Sequence, residues 1–458
     1  MFVRRSSMPV SAEDLFRWHS RPGAFERLSP PWEEVRVLSR RGAGIEVGAQ
    51  VEIKTKIGPL WQRWLAEHTR YEEGRLFQDR QVSGPFSFWE HTHLCEASGP
   101  GASYLEDRVE YSLPLGALGR LFGGGFARNK LETMFAFRHR ITADDLGAHQ
   151  RAALAPQRIL LTGATGLLGA ALRPFLSTGG HTVVSLVRNK SAEGEHEISW
   201  DPDARILPRE QLEGFDAVIH LAGEPVAQGR WNEAKKARIR DSRVHGTTLL
   251  CEALASLSRP PKVLLSASAI GIYGNRGEEP LHEESRPGEG FLAEVCKAWE
   301  ESTQPAQQKG IRTVHLRIGI VLSPKGGMLA QLLPVFRAGV GGRVGSGQQY
   351  VSWISLDDTL DAILRCLSDP LVSGPVNLTA PHPVSNAEFS AVLGRVLSRP
   401  AAIPAPAAAL KLAFGEMAEE AALAGAKVLP LALQKRGHHF RFPELEPALR
   451  FLTGRGIE

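Results

Sequence analysis

The clearest chemistry in this chain lies where an apolar run meets three spaced glycines. The segment Arg158-Ile-Leu-Leu-Thr-Gly163-Ala-Thr165-Gly166-Leu167-Leu168-Gly169 reads as a strand entering a G-x-x-G-x-x-G turn and then a helix. A dinucleotide pyrophosphate needs this geometry: Gly163 allows the tight turn, Gly166 lets backbone approach the phosphates, and Gly169 lets helix and strand pack closely. The helix start adds N–H groups without intrahelical partners and the positive end of a dipole. Gly163, Thr165, Gly166, Leu167, Leu168 and Gly169 are therefore the expected phosphate cradle. The following strand, His181-Thr-Val-Val-Ser-Leu-Val-Arg188, indicates which dinucleotide. An acidic residue at its end would hold both ribose hydroxyls of NAD. Arg188 stands there instead, with Lys190 two positions on. Guanidinium binds phosphate through paired charge-assisted hydrogen bonds, so a 2′-phosphate, and hence NADP(H) over NAD(H), is expected.

The elements that position this turn follow a strand–helix alternation, with strands expected at Arg158–Thr162, His181–Leu186, Ala217–Leu221, Lys262–Ser266 and Thr313–Ile318. Alternation of this kind makes a parallel sheet covered by helices, a doubly wound Rossmann α/β domain over 157–395. About 150 residues precede it, which implies a separate domain at 1–145. That region reads as α+β. A helix opens at Ser11-Ala-Glu-Asp14, strand-like runs follow at Gly44–Ile57, Trp64–Glu72, Leu76–Ser83, Phe86–Cys95 and Ala102–Leu113, and a long helix runs from about Leu118 to His139. Alternating apolar and polar residues in those runs suit an antiparallel sheet with one wet face. Residues Asp144 to Pro156 read as a linker. Beyond a Pro/Ala-rich connector, Pro400–Pro406, a helical tail at 400–455 is expected to pack on the substrate side of the Rossmann unit.

The 458 residues suffice for two or three domains, and 43% hydrophobic with 23% charged residues is ordinary for a globular protein. A net charge of +4 with mixed signs excludes a dedicated nucleic-acid footprint. Cys95, Cys251, Cys296 and Cys366 form no C-x-x-C pair, so neither a zinc knuckle nor a disulfide scaffold is expected. No run is long enough for a membrane span, and no signal peptide is evident, so a reduced, cytoplasmic protein is expected. His91 and His93 share one strand face but lack further ligands in sequence, so no metal site is expected.

Gly163–Gly169, His220-Leu221-Ala222-Gly223 and Ser266-Ala-Ser268-Ala-Ile-Gly-Ile-Tyr273-Gly274 resemble an extended short-chain dehydrogenase/reductase of the epimerase/dehydratase type. Glu224-Pro225, Arg230-Trp231, Ile239-Arg-Asp-Ser-Arg243, Phe291–Glu300, Leu316-Arg-Ile-Gly319, Gly345-Ser-Gly-Gln348 and Ser352-Trp-Ile354 resemble an atypical epimerase-like branch, and the tail resembles that branch's DUF1731 extension. The resemblance implies that Leu221, Ala222, Gly223, Glu224, Arg230 and Ser266 line the cofactor, and that Gln348 and Ser352 are polar contacts on the substrate side. Leu28-Ser-Pro-Pro-Trp32, Gln81–Phe86 and Trp89-Glu-His-Thr-His93 resemble START-like, polyketide-cyclase-like helix-grip proteins, which implies an apolar ligand cavity in the first domain.

The superfamily's chemistry uses a Tyr-x-x-x-Lys pair one helical turn apart, with a serine positioning the substrate oxygen. Ser268 matches the serine. Aligning Glu300 with the glutamate that follows the lysine puts Leu292 at the tyrosine and Cys296 at the lysine, with Lys297 one residue off. Three readings follow. Ser268, Tyr273, Glu294 or Cys296 serves an unusual oxidoreductase or epimerase acting on a small substrate, either cyclic or sugar-nucleotide-like. Alternatively the chain binds NADP(H) as a sensor or scaffold. In the third, the N-terminal cavity is the functional core.

Overall fold

The computed structural model describes residues 1–42, 44–58, 60–188, 196–227 and 229–456. Contacts divide the chain into two units: Met1–Ala153 with Pro174–Gly180 and Thr453–Glu458, and Leu154–Arg173 with His181–Leu452.

The first unit is α+β. Its strands are β1 (Phe2–Met8), β2 (Val35–Arg41), β3 (Gln50–Ile57), β4 (Leu60–Glu72), β5 (Leu76–Ser83), β6 (Phe88–Gly99) and β7 (Ala102–Ser112). They form one antiparallel sheet in the order β1-β7-β6-β5-β4-β3-β2. Strand β2 escaped the sequence reading because it is an edge strand, arginine-rich and almost wholly exposed, with no apolar face to betray it. Helix α1 (Ala12–Ser20) starts where the Ser11 hydroxyl accepts the Asp14 N–H, and it buries Leu15, Phe16 and Trp18. The long helix α2 (Gly116–Ala152) runs past the expected end at His139 and absorbs Asp144–Ala152 of the expected linker. No proline interrupts it before Pro156, and it ends at Ala153 in the left-handed conformation (φ 46°).

The second unit is a doubly wound Rossmann fold. Strands β8 (Arg158–Thr162), β9 (Thr182–Val187), β10 (Glu197–Ser199), β11 (Ala217–His220), β12 (Val263–Ala269), β13 (Arg312–Ile318) and β14 (Gly374–Leu378) are all parallel, in the order β10-β9-β8-β11-β12-β13-β14. Chain order reverses between β8 and β11, which opens a crevice at the carboxyl ends of those strands. Strands β8, β11 and β12 are buried nearly end to end, as a parallel sheet covered on both faces requires. The sequence reading missed β10 and β14. The first has only three residues, and the second opens with Gly374-Pro375, a turn signal that an edge strand tolerates.

Helices α3 (Leu167–Thr178), α4 (Glu233–Ser256), α5 (Phe291–Glu301) and α6 (Leu356–Ser368) follow β8, β11, β12 and β13 respectively. The tail docks on this unit by backbone pairing, Lys427–Val428 running parallel to Pro280–Leu281. Both carboxylate oxygens of Glu420 accept the N–H groups of Phe291 and Leu292 (2.9 Å each), capping α5. The tail thus lies against loops leaving the carboxyl ends of β11 and β12.

Candidate active site

The glycine turn sits at the reversal between β8 and β11. Gly163 has φ +70°, and a Cβ there would lie 2.8 Å from the Leu221 carbonyl. A Cβ on Gly169 would lie 2.2 Å from the Gly163 oxygen. Neither clash can be relieved by a side chain moving, because backbone is struck in both cases. Gly166 is less constrained sterically; its N–H donates to Gly163 O (3.0 Å), and it is exposed with Thr165. Leu167 packs its side chain toward Gly326, and Leu168 is half-buried. The result is an open backbone turn at a helix start, a shape that accepts a pyrophosphate.

A buried polar chain fixes the opposite wall. The Thr162 hydroxyl accepts the N–H groups of Leu221 (3.0 Å) and Ala222 (3.1 Å) and lies 2.7 Å from His220 Nδ1. His220 Nε2 lies 2.9 Å from the Thr247 hydroxyl, which also accepts the Trp299 indole N–H (3.0 Å). With Thr162 already accepting two amides, its own proton goes to Nδ1, and His220 is neutral with the proton on Nε2. Burial without a charged partner lowers its pKa to about 4. His220 therefore holds the Leu221–Gly223 loop in place. Thr162 and Thr247 were not singled out in sequence because a threonine in a strand or helix gives no motif.

Charges gather beyond that loop. Glu224 accepts Lys235 Nζ at 2.7 Å, and its pKa falls, chiefly through that hydrogen bond, with Arg238 and Arg188 adding favourable charge. Arg188 is exposed at the end of β9, and its field reaches the Glu224 side of the crevice. Lys190 lies outside the described residues. Arg243, on α4, donates to the carbonyls of Glu224 (3.0 Å) and Ile239 (2.9 Å) and lies 4.9 Å above the Trp299 ring. Its guanidinium carbon is 3.2 Å from where a Gly223 Cβ would stand. Arg230 instead lies against Gly415 of the tail, its Nε 3.2 Å from that glycine's would-be Cβ.

The serine, tyrosine and cysteine singled out by sequence sit close together, but all are buried. Ser268, near the carboxyl end of β12, donates to Glu300 Oε1 at 2.7 Å. Arg317 of β13 clamps both Glu300 oxygens (2.8 and 3.0 Å) and donates to the Tyr273 hydroxyl (2.9 Å) and the Glu283 carbonyl (3.0 Å). The Tyr273 hydroxyl donates to Asn377 Oδ1 at 2.8 Å, and the residue is wholly buried. Burial raises its pKa despite Arg317. Cys296 is buried beside Gly271, and burial pushes its thiol up to about 11. Tyr273 and Cys296 thus stand inside the wall, one with its hydroxyl committed to two partners and the other held as a neutral thiol. Glu294 is exposed on α5. Ser266 Oγ is buried without a hydrogen-bond partner. Ser352 is also buried, donating to Ala426 O (2.6 Å) and accepting the Val428 N–H (2.9 Å), so it anchors the tail; Gln348 is exposed.

An epimerase family protein of Mycobacterium tuberculosis is 43% identical over 297 residues, which cover 65% of this chain and 98% of the relative. The chain belongs to the epimerase family. The NAD dependent epimerase/dehydratase family profile matches residues 159–378, a domain of unknown function, DUF1731, matches 405–452, and the polyketide cyclase/dehydrase and lipid transport family matches 8–137. Among solved structures, a Corynebacterium glutamicum protein described as a nucleoside-diphosphate sugar epimerase is 32% identical to this epimerase-family chain. That match covers 99% of the chain and 90% of the other, with a TM-score of 0.80. Human epimerase family protein SDR39U1, solved with NADPH, is 31% identical over 65% of the chain and 99% of its own, with a TM-score of 0.59. Among the described residues, no helix is long and apolar enough to cross a membrane.

Proposed function

We propose that this epimerase-family chain is a cytoplasmic, NADP(H)-dependent oxidoreductase or epimerase-like enzyme, with nucleoside-diphosphate sugars as the first substrate class to test. The observation that carries the cofactor choice is the cationic end of β9. Arg188 stands where NAD-binding sheets place an acid, and its charge reaches Glu224 across the crevice. The human relative solved with NADPH supports the same choice, and the Corynebacterium structure's description supports the substrate class.

In this reading Gly163, Thr165, Gly166, Leu167, Leu168 and Gly169 hold the pyrophosphate, and Arg188 holds the 2′-phosphate. Leu221, Ala222 and Gly223 form the facing wall, with Glu224 and Ser266 beside it. The bound nicotinamide supplies hydride transfer. Ser268 receives the substrate hydroxyl: its own proton is given to Glu300, so its lone pairs are free to accept a substrate O–H. Arg317 holds the Glu300 carboxylate in place for that purpose by donating to both of its oxygens. Tyr273 and Cys296 shape the wall behind Ser268 without touching substrate.

The test is turnover. Purified chain with NADP⁺ is challenged with a panel of nucleoside-diphosphate sugars while reduced nicotinamide is followed by absorbance and epimers by NMR. The reading expects a sugar-dependent signal that Ser268→Ala reduces by about 10-fold, the scale of one hydrogen bond lost to substrate. Tight NADPH binding with no turnover across the panel would favour an NADP(H)-binding sensor or scaffold instead.

A further inference from the structure

The N-terminal sheet gathers a set of imidazoles and carboxylates that the Rossmann chemistry does not use. Asp79 on β5 pairs in register with His68 on β4 and with His91 on β6. His93, two residues beyond His91, pairs with Asp107 on β7. Residues directly opposite each other, and residues two apart, share a sheet face, so all five lie on one face. From α2, His139 reaches the same group, its Nε2 2.7 Å from Asp107 Oδ2. His91, His93, Asp107 and His139 are all buried. Sequence alone showed only the His91/His93 pair. The other members come from β4, β5, β7 and α2, and only the register brings them together.

We infer that Asp79, His91 and His93 form a site for a divalent first-row transition metal, with Asp107 and His139 as its outer support. Asp79 Oδ1 lies 3.4 Å from His91 Nδ1 and 3.7 Å from His93 Nε2, and one donor atom from each residue falls within 4.8 Å of the others. Metal–ligand bonds of about 2.0–2.2 Å place adjacent donor atoms about 3.0–3.5 Å apart at tetrahedral or octahedral angles, so little movement is needed to close the site.

The outer carboxylate sets the direction of the rings. His91 Nε2 is hydrogen-bonded to Asp107 Oδ1 at 3.0 Å. A carboxylate only accepts, so Nε2 donates to Asp107, which turns the other ring nitrogen, Nδ1, toward Asp79. Nδ1 and Asp79 Oδ1 thus face each other at 3.4 Å beside His93, close enough for one ion to reach all three. His93 Nδ1 lies 2.7 Å from the same Asp107 oxygen, off the line of a hydrogen bond. Asp107 also holds His139, whose Nδ1 meets the Ser6 hydroxyl at 2.9 Å. Carboxylates that orient metal-binding imidazoles in this way are the usual second layer of such centres. His68 adds a further imidazole on the same face, and its buried Nδ1 has no hydrogen-bond partner. Two imidazoles and one carboxylate, with no thiolate, select zinc or iron(II) over calcium or copper(I).

The test uses the full chain purified without a histidine tag, stripped with chelator and titrated with Zn²⁺ or Co²⁺. The expected result is one tightly bound equivalent per chain and visible Co²⁺ bands of a nitrogen–oxygen site. Asp79→Asn and His93→Gln should lower affinity by at least about 100-fold, and His139→Gln by about 10- to 100-fold through the outer shell. His245→Gln, exposed in the second unit, should change nothing. Emission from buried Trp18 and Trp89 shows whether each variant still folds. Because misfolding would leave the variants uninformative, the wild-type chain also decides the matter by itself. Failure to take up either ion, or uptake with a Co²⁺ spectrum that folded Asp79→Asn leaves unchanged, overturns the inference.

Discussion

Replacing Arg317 by leucine should be among the most damaging single changes in the second unit outside its apolar core. The guanidinium donates four hydrogen bonds: two to Glu300, one to the Tyr273 hydroxyl and one to the Glu283 carbonyl. Its side chain is 8% exposed and that of Glu300 13%, so water replaces little of what is lost. Arg317→Leu leaves the Glu300 carboxylate buried with Ser268 as its hydrogen-bond donor and His315 Nδ1 at 3.8 Å. Breaking a buried pair from one side costs about 3–5 kcal/mol, mostly from the stranded charge. Removing both charges, in Arg317→Leu with Glu300→Leu, removes the stranding, so the double variant should be less destabilised than the sum of the singles by about 2–3 kcal/mol. Urea unfolding of the four members of this cycle measures the coupling, using the transition that NADPH shifts. A single-variant cost below about 1 kcal/mol, or costs that add within about 0.5 kcal/mol, would refute the view that this pair holds the wall behind Ser268.

Three further outcomes follow from the same geometry. His220 is held neutral, so the unfolded chain takes up a proton between its ordinary pKa of 6.5 and about 4 while the folded chain does not; stability conferred above pH 6.5 is lost as pH falls through that window, by about 3 kcal/mol from this group. The pH dependence of unfolding should flatten accordingly in His220→Phe, and an unchanged slope would contradict the assignment. Glu420→Ala removes the cap from α5 and should cost about 1–2 kcal/mol in the same denaturation assay, whereas no measurable cost would mean that the tail does not hold this helix. The four cysteines are free and buried, with Cys296 raised to about 11 and Cys251 and Cys366 to about 12, so the native chain should react with a thiol reagent only as fast as it unfolds. Rapid modification of Cys296 in folded protein would show that the wall is open.

The glycine turn was legible because its whole requirement lies in a dozen consecutive residues and two positions strike backbone if they gain a Cβ. The strand–helix alternation was legible for the same reason: long buried strands such as β8 and β12 announce themselves by composition. Edge strands β2 and β14 did not: β2 is almost wholly exposed, and β14 opens with the turn signal Gly374-Pro375. The wall behind Ser268 was half legible. Glu300 served only to align α5, and its true partner, Arg317, lies on another strand. No spacing rule connects a helix residue to a strand residue that topology alone brings together. Tyr273 illustrates the complementary failure: its place in a familiar segment suggested exposure to substrate, whereas burial and two hydrogen-bond partners commit its hydroxyl. The His/Asp cluster followed the same logic, with one pair visible and its other members hidden in the register.

The central claim is that the glycine turn and Arg188 together hold NADP(H). Calorimetric titration of wild type and Arg188→Ala with NADPH and NADH tests it most directly. The account predicts that wild type prefers NADPH and that the substitution weakens NADPH binding by about 10- to 100-fold, the worth of a charge-assisted contact to phosphate, while leaving NADH nearly unchanged. Equal affinity for both nucleotides in wild type, or equal loss of both in the variant, would contradict it.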